Sequence, residues 1–159
     1  TLFSFTIIFL LALSAKGQSA TSIELKNLSG QFTSIDDLKG DNKLIVLDFW
    51  ASWCKPCIKS FPKLIALSDE LKDKGVLFVG VNEDSPRNQA KVKPFVNTHG
   101  INYPVLLDTE QELQNELLVN AYPTLIIINP AGDVLYTHEG FDSGDESVIK
   151  KHIIELLDK

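Results

Sequence analysis

Leu44-Ile45-Val46-Leu47-Asp48-Phe49-Trp50-Ala51-Ser52-Trp53-Cys54-Lys55-Pro56-Cys57 is the stretch that decides the fold. Its first seven residues form a continuous apolar run broken once, at Asp48. A run without alternation predicts a strand buried on both faces. Cys54 and Cys57 follow at once, and they are the only cysteines in 159 residues. Beyond them, Ile58, Phe61, Leu64, Ile65, Leu67 and Leu71 recur at helical spacing, so a helix is predicted over Lys55–Lys74, stopped by Gly75 and kinked at Pro62.

A Cys-X-X-Cys pair between a buried strand and a helix is a redox device. At the helix start Cys54 faces free backbone N–H groups and the positive end of the helix dipole, which favour the nucleophilic thiolate. Cys57 lies on the same face one turn in, close enough for a disulfide. Pro56 in the first turn costs no hydrogen bond and fixes φ. The expected chemistry is attack by Cys54 on a target disulfide, then release of the target by Cys57.

Three neighbours bear on that chemistry. Asp48 is either a buried carboxylate exchanging a proton with Cys57, or an edge-strand aspartate reaching solvent. Lys55 either favours the Cys54 thiolate by charge or is one more solvated lysine. Trp53 either packs at the rim or forms an apolar lip for docking targets.

Outward from the motif, the chain predicts a half-buried strand over Ser22–Leu28, a helical turn over Ile35–Gly40, and a strand at Val76–Val81. A helix follows over Pro86–His99, a short strand at Val105–Leu107, and a helix over Glu110–Val119. Thr124–Ile128 and Val134–Glu139 flank the turn Asn129-Pro130-Ala131-Gly132-Asp133 and form an antiparallel hairpin. An amphipathic helix over Asp145–Leu157 closes the chain, with Val148, Ile149, Ile153, Leu156 and Leu157 on its apolar face. The alternation implies an α/β sandwich of one domain, with parallel crossovers early and an antiparallel hairpin late.

Composition narrows the function. With 44% apolar and 23% charged residues the chain builds an ordinary core. Residues 21–159 carry 14 basic and 21 acidic side chains, net −7, which repels phosphate backbones and argues against a nucleic-acid partner. Leu2–Leu13 is an apolar run of signal-peptide length, so residues 1–20 read as a signal peptide or N-terminal anchor and residues 21–159 as the folded domain. His99, His138 and His152 lack paired ligand spacing, so no metal site is expected. A copper or zinc carrier built on the cysteine pair is the alternative from another class, and a disulfide donor or isomerase the alternative within this one. With no cysteine outside the pair, a peroxidase is disfavoured.

The segment Asp48–Cys57 closely resembles the active-site segment of the thioredoxin superfamily. Tyr122-Pro123-Thr124 resembles its cis-proline loop. Phe32 with Asp37-Leu38-Lys39-Gly40, and Gly100–Asp108, resemble the exported TlpA/ResA-like branch, which carries an extra strand and helix before the cis-proline strand. The resemblance spans about residues 22–158 and implies a thioredoxin-like fold with a mixed sheet flanked by helices. It implies Cys54 and Cys57 as catalytic residues and Asp48 as their buried base. It implies Trp53, Tyr122 and Pro123 at the docking edge, where target peptides add as a strand. It implies Lys55, Pro56 and Glu83 as modulating residues.

No cofactor beyond the Cys54–Cys57 disulfide is implied. The implied partners are protein disulfides, for example in apocytochrome c, and a membrane thiol donor, with the protein a monomer outside the cytoplasm. Aspartate at 48 departs from many TlpA/ResA-like members, which have asparagine there. It is more typical of general thioredoxins, and so argues against narrow substrate choice.

Overall fold

The computed structural model describes residues 19–158, so the leader expected over residues 1–20 lies almost wholly outside them. The described chain runs β1 (Leu25–Asn27), β2 (Phe32–Thr33), α1 (Ile35–Leu38), β3 (Leu44–Trp50), α2 (Lys55–Leu71) and β4 (Val76–Asn82). It continues through α3 (Gln89–His99), β5 (Val105–Leu107), α4 (Glu112–Glu116), β6 (Thr124–Ile128), β7 (Val134–Glu139) and α5 (Asp145–Leu157). One seven-stranded mixed sheet has the order β2-β1-β5-β4-β3-β6-β7. β3 pairs parallel with β4 and antiparallel with β6, which makes it an interior strand.

The unbroken apolar run is thereby explained, because both faces of β3 are covered. Leu44, Val46 and Trp50 face a core built from α2, α3 and α5, including Cys57, Phe61, Leu64, Val96, Ile149 and Ile153. Ile45, Leu47 and Phe49 face a second core with Ile35 and Leu113. By strand alternation Asp48 stands on the first face, the one carrying Cys57.

Five expectations need correction. The predicted Ser22–Leu28 strand shrinks to Leu25–Asn27, preceded by 3₁₀ over Ala20–Ser22. The predicted Lys55–Lys74 helix is α-helical to Leu71, with Pro62 inside it as expected, and its final turn Lys72–Lys74 is 3₁₀, ending at Gly75 with φ +83°. The Pro62 ring removes one helical hydrogen bond, a cost of about 3 kcal/mol in a helix interior, which burial of neighbouring Phe61 and Leu64 offsets. The predicted Pro86–His99 helix opens as 3₁₀ over Pro86–Asn88. The predicted Glu110–Val119 helix shrinks to Glu112–Glu116, because Gln111 and Leu118 adopt left-handed φ of 59° and 55° at its ends. Val148, predicted on the apolar face of α5, is exposed.

The first described residues are already part of the domain. Ser19 Oγ donates to the Ala131 carbonyl in the β6–β7 turn at 3.3 Å, and Ala20 and Thr21 are buried. Gly132, with φ +95°, is needed there: a Cβ would stand 2.7 Å from Ser19 Oγ. Among the described residues no helix is long and apolar enough to cross a membrane.

Candidate active site

The C-terminal end of β3 delivers the motif. Ser52, two residues past the strand, donates its N–H and its hydroxyl to Asp84, at 2.9 and 2.8 Å, and Asn82 Nδ2 donates to the same carboxylate at 2.8 Å. Glu83 N–H donates to the Trp50 carbonyl at 2.9 Å. The loop before the cysteines is therefore clamped from β4.

Cys54 is the N-cap of α2 and is bonded to Cys57 in a disulfide, with Cα atoms 5.3 Å apart. Cys57 N–H donates to Cys54 Sγ at 3.2 Å. Cys54 is 4% exposed and Cys57 fully buried. Lys55 and Pro56 occupy the first helical turn and are exposed, and Lys55 forms no ion pair among the described residues.

Asp48 stands on the sheet face that carries Cys57, on an interior strand, and is wholly buried, so the edge-strand alternative falls. Its Oδ2 accepts from the Tyr103 hydroxyl at 2.9 Å, and Oδ1 has no hydrogen-bond partner among the described residues. Burial pushes its pKa up to about 7, against the lowering effect of the Tyr103 hydrogen bond. Such a carboxyl gains and loses a proton near neutrality, as a general base must.

The peptide bond between Tyr122 and Pro123 is cis, as the resemblance implied. This loop leads into β6 beside β3, so it lies at the same end of the sheet as the cysteines. Trp53 is 64% exposed and meets the Tyr122 ring edge-on, with centroids 5.9 Å apart. The Tyr122 hydroxyl donates to Gln114 Oε1 on α4. Burial, with the Glu83 and Asp108 carboxyls nearby, raises its pKa well above the usual phenol range.

Glu83, the first residue past β4, is buried, and among the described residues neither of its carboxyl oxygens is hydrogen-bonded. Burial first, then the Asp108 carboxylate, pushes its pKa up to about 9, so it carries its proton at neutral pH. Asp108 accepts from the N–H groups of Glu112 and Gln114 at 2.7 and 2.8 Å and so caps α4.

The histidines lie elsewhere. His99 packs at a tilt against Phe95, His138 hydrogen-bonds Asp145 at 3.0 Å, and both His138 and His152 stack with Tyr136. Among the described residues no three His, Cys, Asp or Glu side chains are grouped to hold a metal.

Sequence reasoning missed Tyr103, Asp84 and Asp108. Asp108 had a faint signal, an acid immediately after the apolar strand Val105–Leu107, and Asp84 a fainter one, two residues past β4.

Residues 16–137 match the AhpC/TSA family. The chain belongs to that family. Within it, the chain is similar to the thiol-disulfide oxidoreductase ResA of Bacillus subtilis, 35% identical over 76% of this chain and 65% of ResA, just under two thirds of that protein's length. It is 34% identical to the thioredoxin-like protein YneN of the same organism, over 90% of this chain and 79% of YneN. Among solved structures, a putative thiol:disulfide interchange protein DsbE from Chlorobium tepidum superposes with a TM-score of 0.77 at 30% identity, covering 89% of this chain and 96% of that one. The fold is thioredoxin-like, and the family branch is that of the ResA-type thiol-disulfide oxidoreductases.

Proposed function

We propose that this protein reduces disulfides in other proteins outside the cytoplasm, using Cys54 and Cys57 as its only redox group. The observation that carries the reading is the cysteine pair at the N-terminus of α2, with a backbone N–H on Cys54 Sγ and Asp48 buried on the same sheet face. An N–H donor and the helix dipole favour negative charge on Cys54 sulfur.

In the reduced protein, Cys54 thiolate attacks one sulfur of a target disulfide. A Cys54–target bond forms, the target S–S bond breaks, and the other target sulfur leaves as thiolate. Cys57 then gives its proton to Asp48 and attacks Cys54 sulfur. The mixed disulfide breaks, the second target sulfur leaves, and two electrons have passed to the target. The product is the Cys54–Cys57 disulfide, the form seen here. Trp53 and the Tyr122–Pro123 edge would receive the target as an added strand, whose main-chain hydrogen bonds tolerate varied sequences. A membrane thiol protein would restore the dithiol, and apocytochrome c is one substrate class that fits. The apolar run Leu2–Leu13 supports an exported or anchored monomer acting where disulfides accumulate.

The test pairs two variants. Cys57→Ser should trap mixed disulfides with an oxidised protein substrate, and Cys54→Ser should neither trap nor turn over. Turnover by Cys54→Ser would overturn the assignment. A redox titration against glutathione fixes direction: a midpoint near the thioredoxin value of about −270 mV supports a reductant, and one near the DsbA value of about −120 mV would make it a donor.

A further inference from the structure

Tyr103 lies just before β5, and Asp48 lies on β3. Between them runs β4, so the two residues are separated by two strand spacings, roughly 10 Å. A tyrosine side chain spans that gap only by passing over the intervening strand. The β4 residue in register with Asp48 is Gly80, which is also in register with Val105 of β5. A Cβ on residue 80 would stand 3.3 Å from Tyr103 Cε2, 3.0 Å from Trp50 Nε1 and 3.2 Å from Val105 Cγ2. Gly80 has an ordinary backbone conformation, so room above the strand is what requires glycine here. The Gly80 N–H also donates to the Pro104 carbonyl at 2.8 Å, fixing the chain beside Tyr103. The Tyr103 ring packs on Phe78, one turn of the pleat along β4.

Trp50 Nε1, the other donor beside Gly80, is buried and makes no hydrogen bond among the described residues. In register with Asp48, β4 offers glycine and β6 offers Leu125. Of the ionisable groups on the helices over this face, α2 brings Cys57. α3 brings His99, packed at a tilt against Phe95 and Phe61, and α5 brings His152, stacked on Tyr136. Among the described residues the Tyr103 hydroxyl is the one hydrogen-bond donor to Asp48.

We propose that Tyr103 is a positioning residue for proton transfer: reaching through the gap at Gly80, its hydroxyl holds Asp48 Oδ2 in the charged form and leaves Oδ1 as the oxygen that takes and returns the proton. The proposal rests on the reading of Asp48 as the base of the resolving step. A hydrogen bond to a carboxylate favours the ionised form and works against burial. Without the hydroxyl, burial acts unopposed and Asp48 ionises at higher pH.

The first experiment is direct. In the oxidised protein, the infrared carbonyl stretch of protonated Asp48, identified by its loss in Asp48→Asn, is titrated in wild type and in Tyr103→Phe. The midpoint should rise by about 1 on the pH scale in Tyr103→Phe. Gly80→Ala should raise it likewise, and Gly80→Ala in the Tyr103→Phe background should add nothing further. An unchanged midpoint in Tyr103→Phe overturns the proposal whatever the activity does.

The second experiment reads the rate of the resolving step against pH by tryptophan fluorescence after rapid mixing with a protein disulfide. Its rising limb should move up with the infrared midpoint. If the infrared midpoint moves while the limb stays put in both Tyr103→Phe and Asp48→Asn, Tyr103 still controls Asp48, and it is the base assignment that fails.

Discussion

The indole of Trp53 meets the ring of Tyr122 edge-on at 5.9 Å, joining the loop before the cysteines to the loop that carries the cis-proline. The two loops adjoin neighbouring strands of the sheet, although Trp53 and Tyr122 are 69 residues apart in sequence. Tyr122 is in turn tied to α4 through Gln114. The docking edge is thus built from three segments that brace one another.

Removing the aromatic at 122 should loosen that edge without touching the sulfurs. An aromatic pair of this kind contributes about 0.5–1.5 kcal/mol beyond its area, so Tyr122→Ala should lower kcat/KM for a protein disulfide by roughly three- to tenfold. Reduction of a small aromatic disulfide, which needs no strand addition, should fall by less. Equal losses on both substrates would place Tyr122 outside substrate docking.

Asp48 makes stability depend on pH in a defined direction. Its folded pKa, about 7, lies above the ordinary 3.8, so between these values the folded state binds more protons than the unfolded chain and stability falls as pH rises. The penalty is complete above pH 7 and absent near pH 4. Asp48→Asn should therefore be more stable than wild type at pH 8.5, on the order of a few kcal/mol, with the gain shrinking toward pH 5. Urea unfolding of the oxidised forms at both values checks it, and a gain independent of pH would contradict it.

Asp84 holds three donors, the Ser52 N–H and hydroxyl and the Asn82 amide. Asp84→Ala leaves them without their acceptor at a buried site, a loss of about 2–4 kcal/mol in unfolding free energy. With the loop before Cys54 released, alkylation of Cys54 in the reduced protein should change rate as well. A variant that loses stability yet keeps the wild-type alkylation rate would confine Asp84 to the fold.

The sequence carries the fold because its strongest patterns are local. The Leu44–Trp50 run shows β3 to be interior, and the turn Asn129–Asp133 shows the β6–β7 hairpin. The cysteines and Pro123 are legible as a motif. What escapes is contact across strands: Tyr103 meets Asp48 over 55 residues of sequence, and only the order β5-β4-β3 with a glycine in the middle brings them together. Asp84 likewise finds Ser52 across 32 residues. The overlong prediction for α4 failed for a different reason. Its apolar residues continue to Val119, but a left-handed Leu118 ends the helix early, and nothing in residue type announces that conformation.

Ser19 is held against the β6–β7 turn, at the far end of β6 from Pro123 and the cysteines. The seven residues of β3 set these two ends roughly 23 Å apart. The chain therefore enters the domain at the end of the sheet opposite the cysteines, and the rim where Trp53 meets Tyr122 stays clear of that entry point.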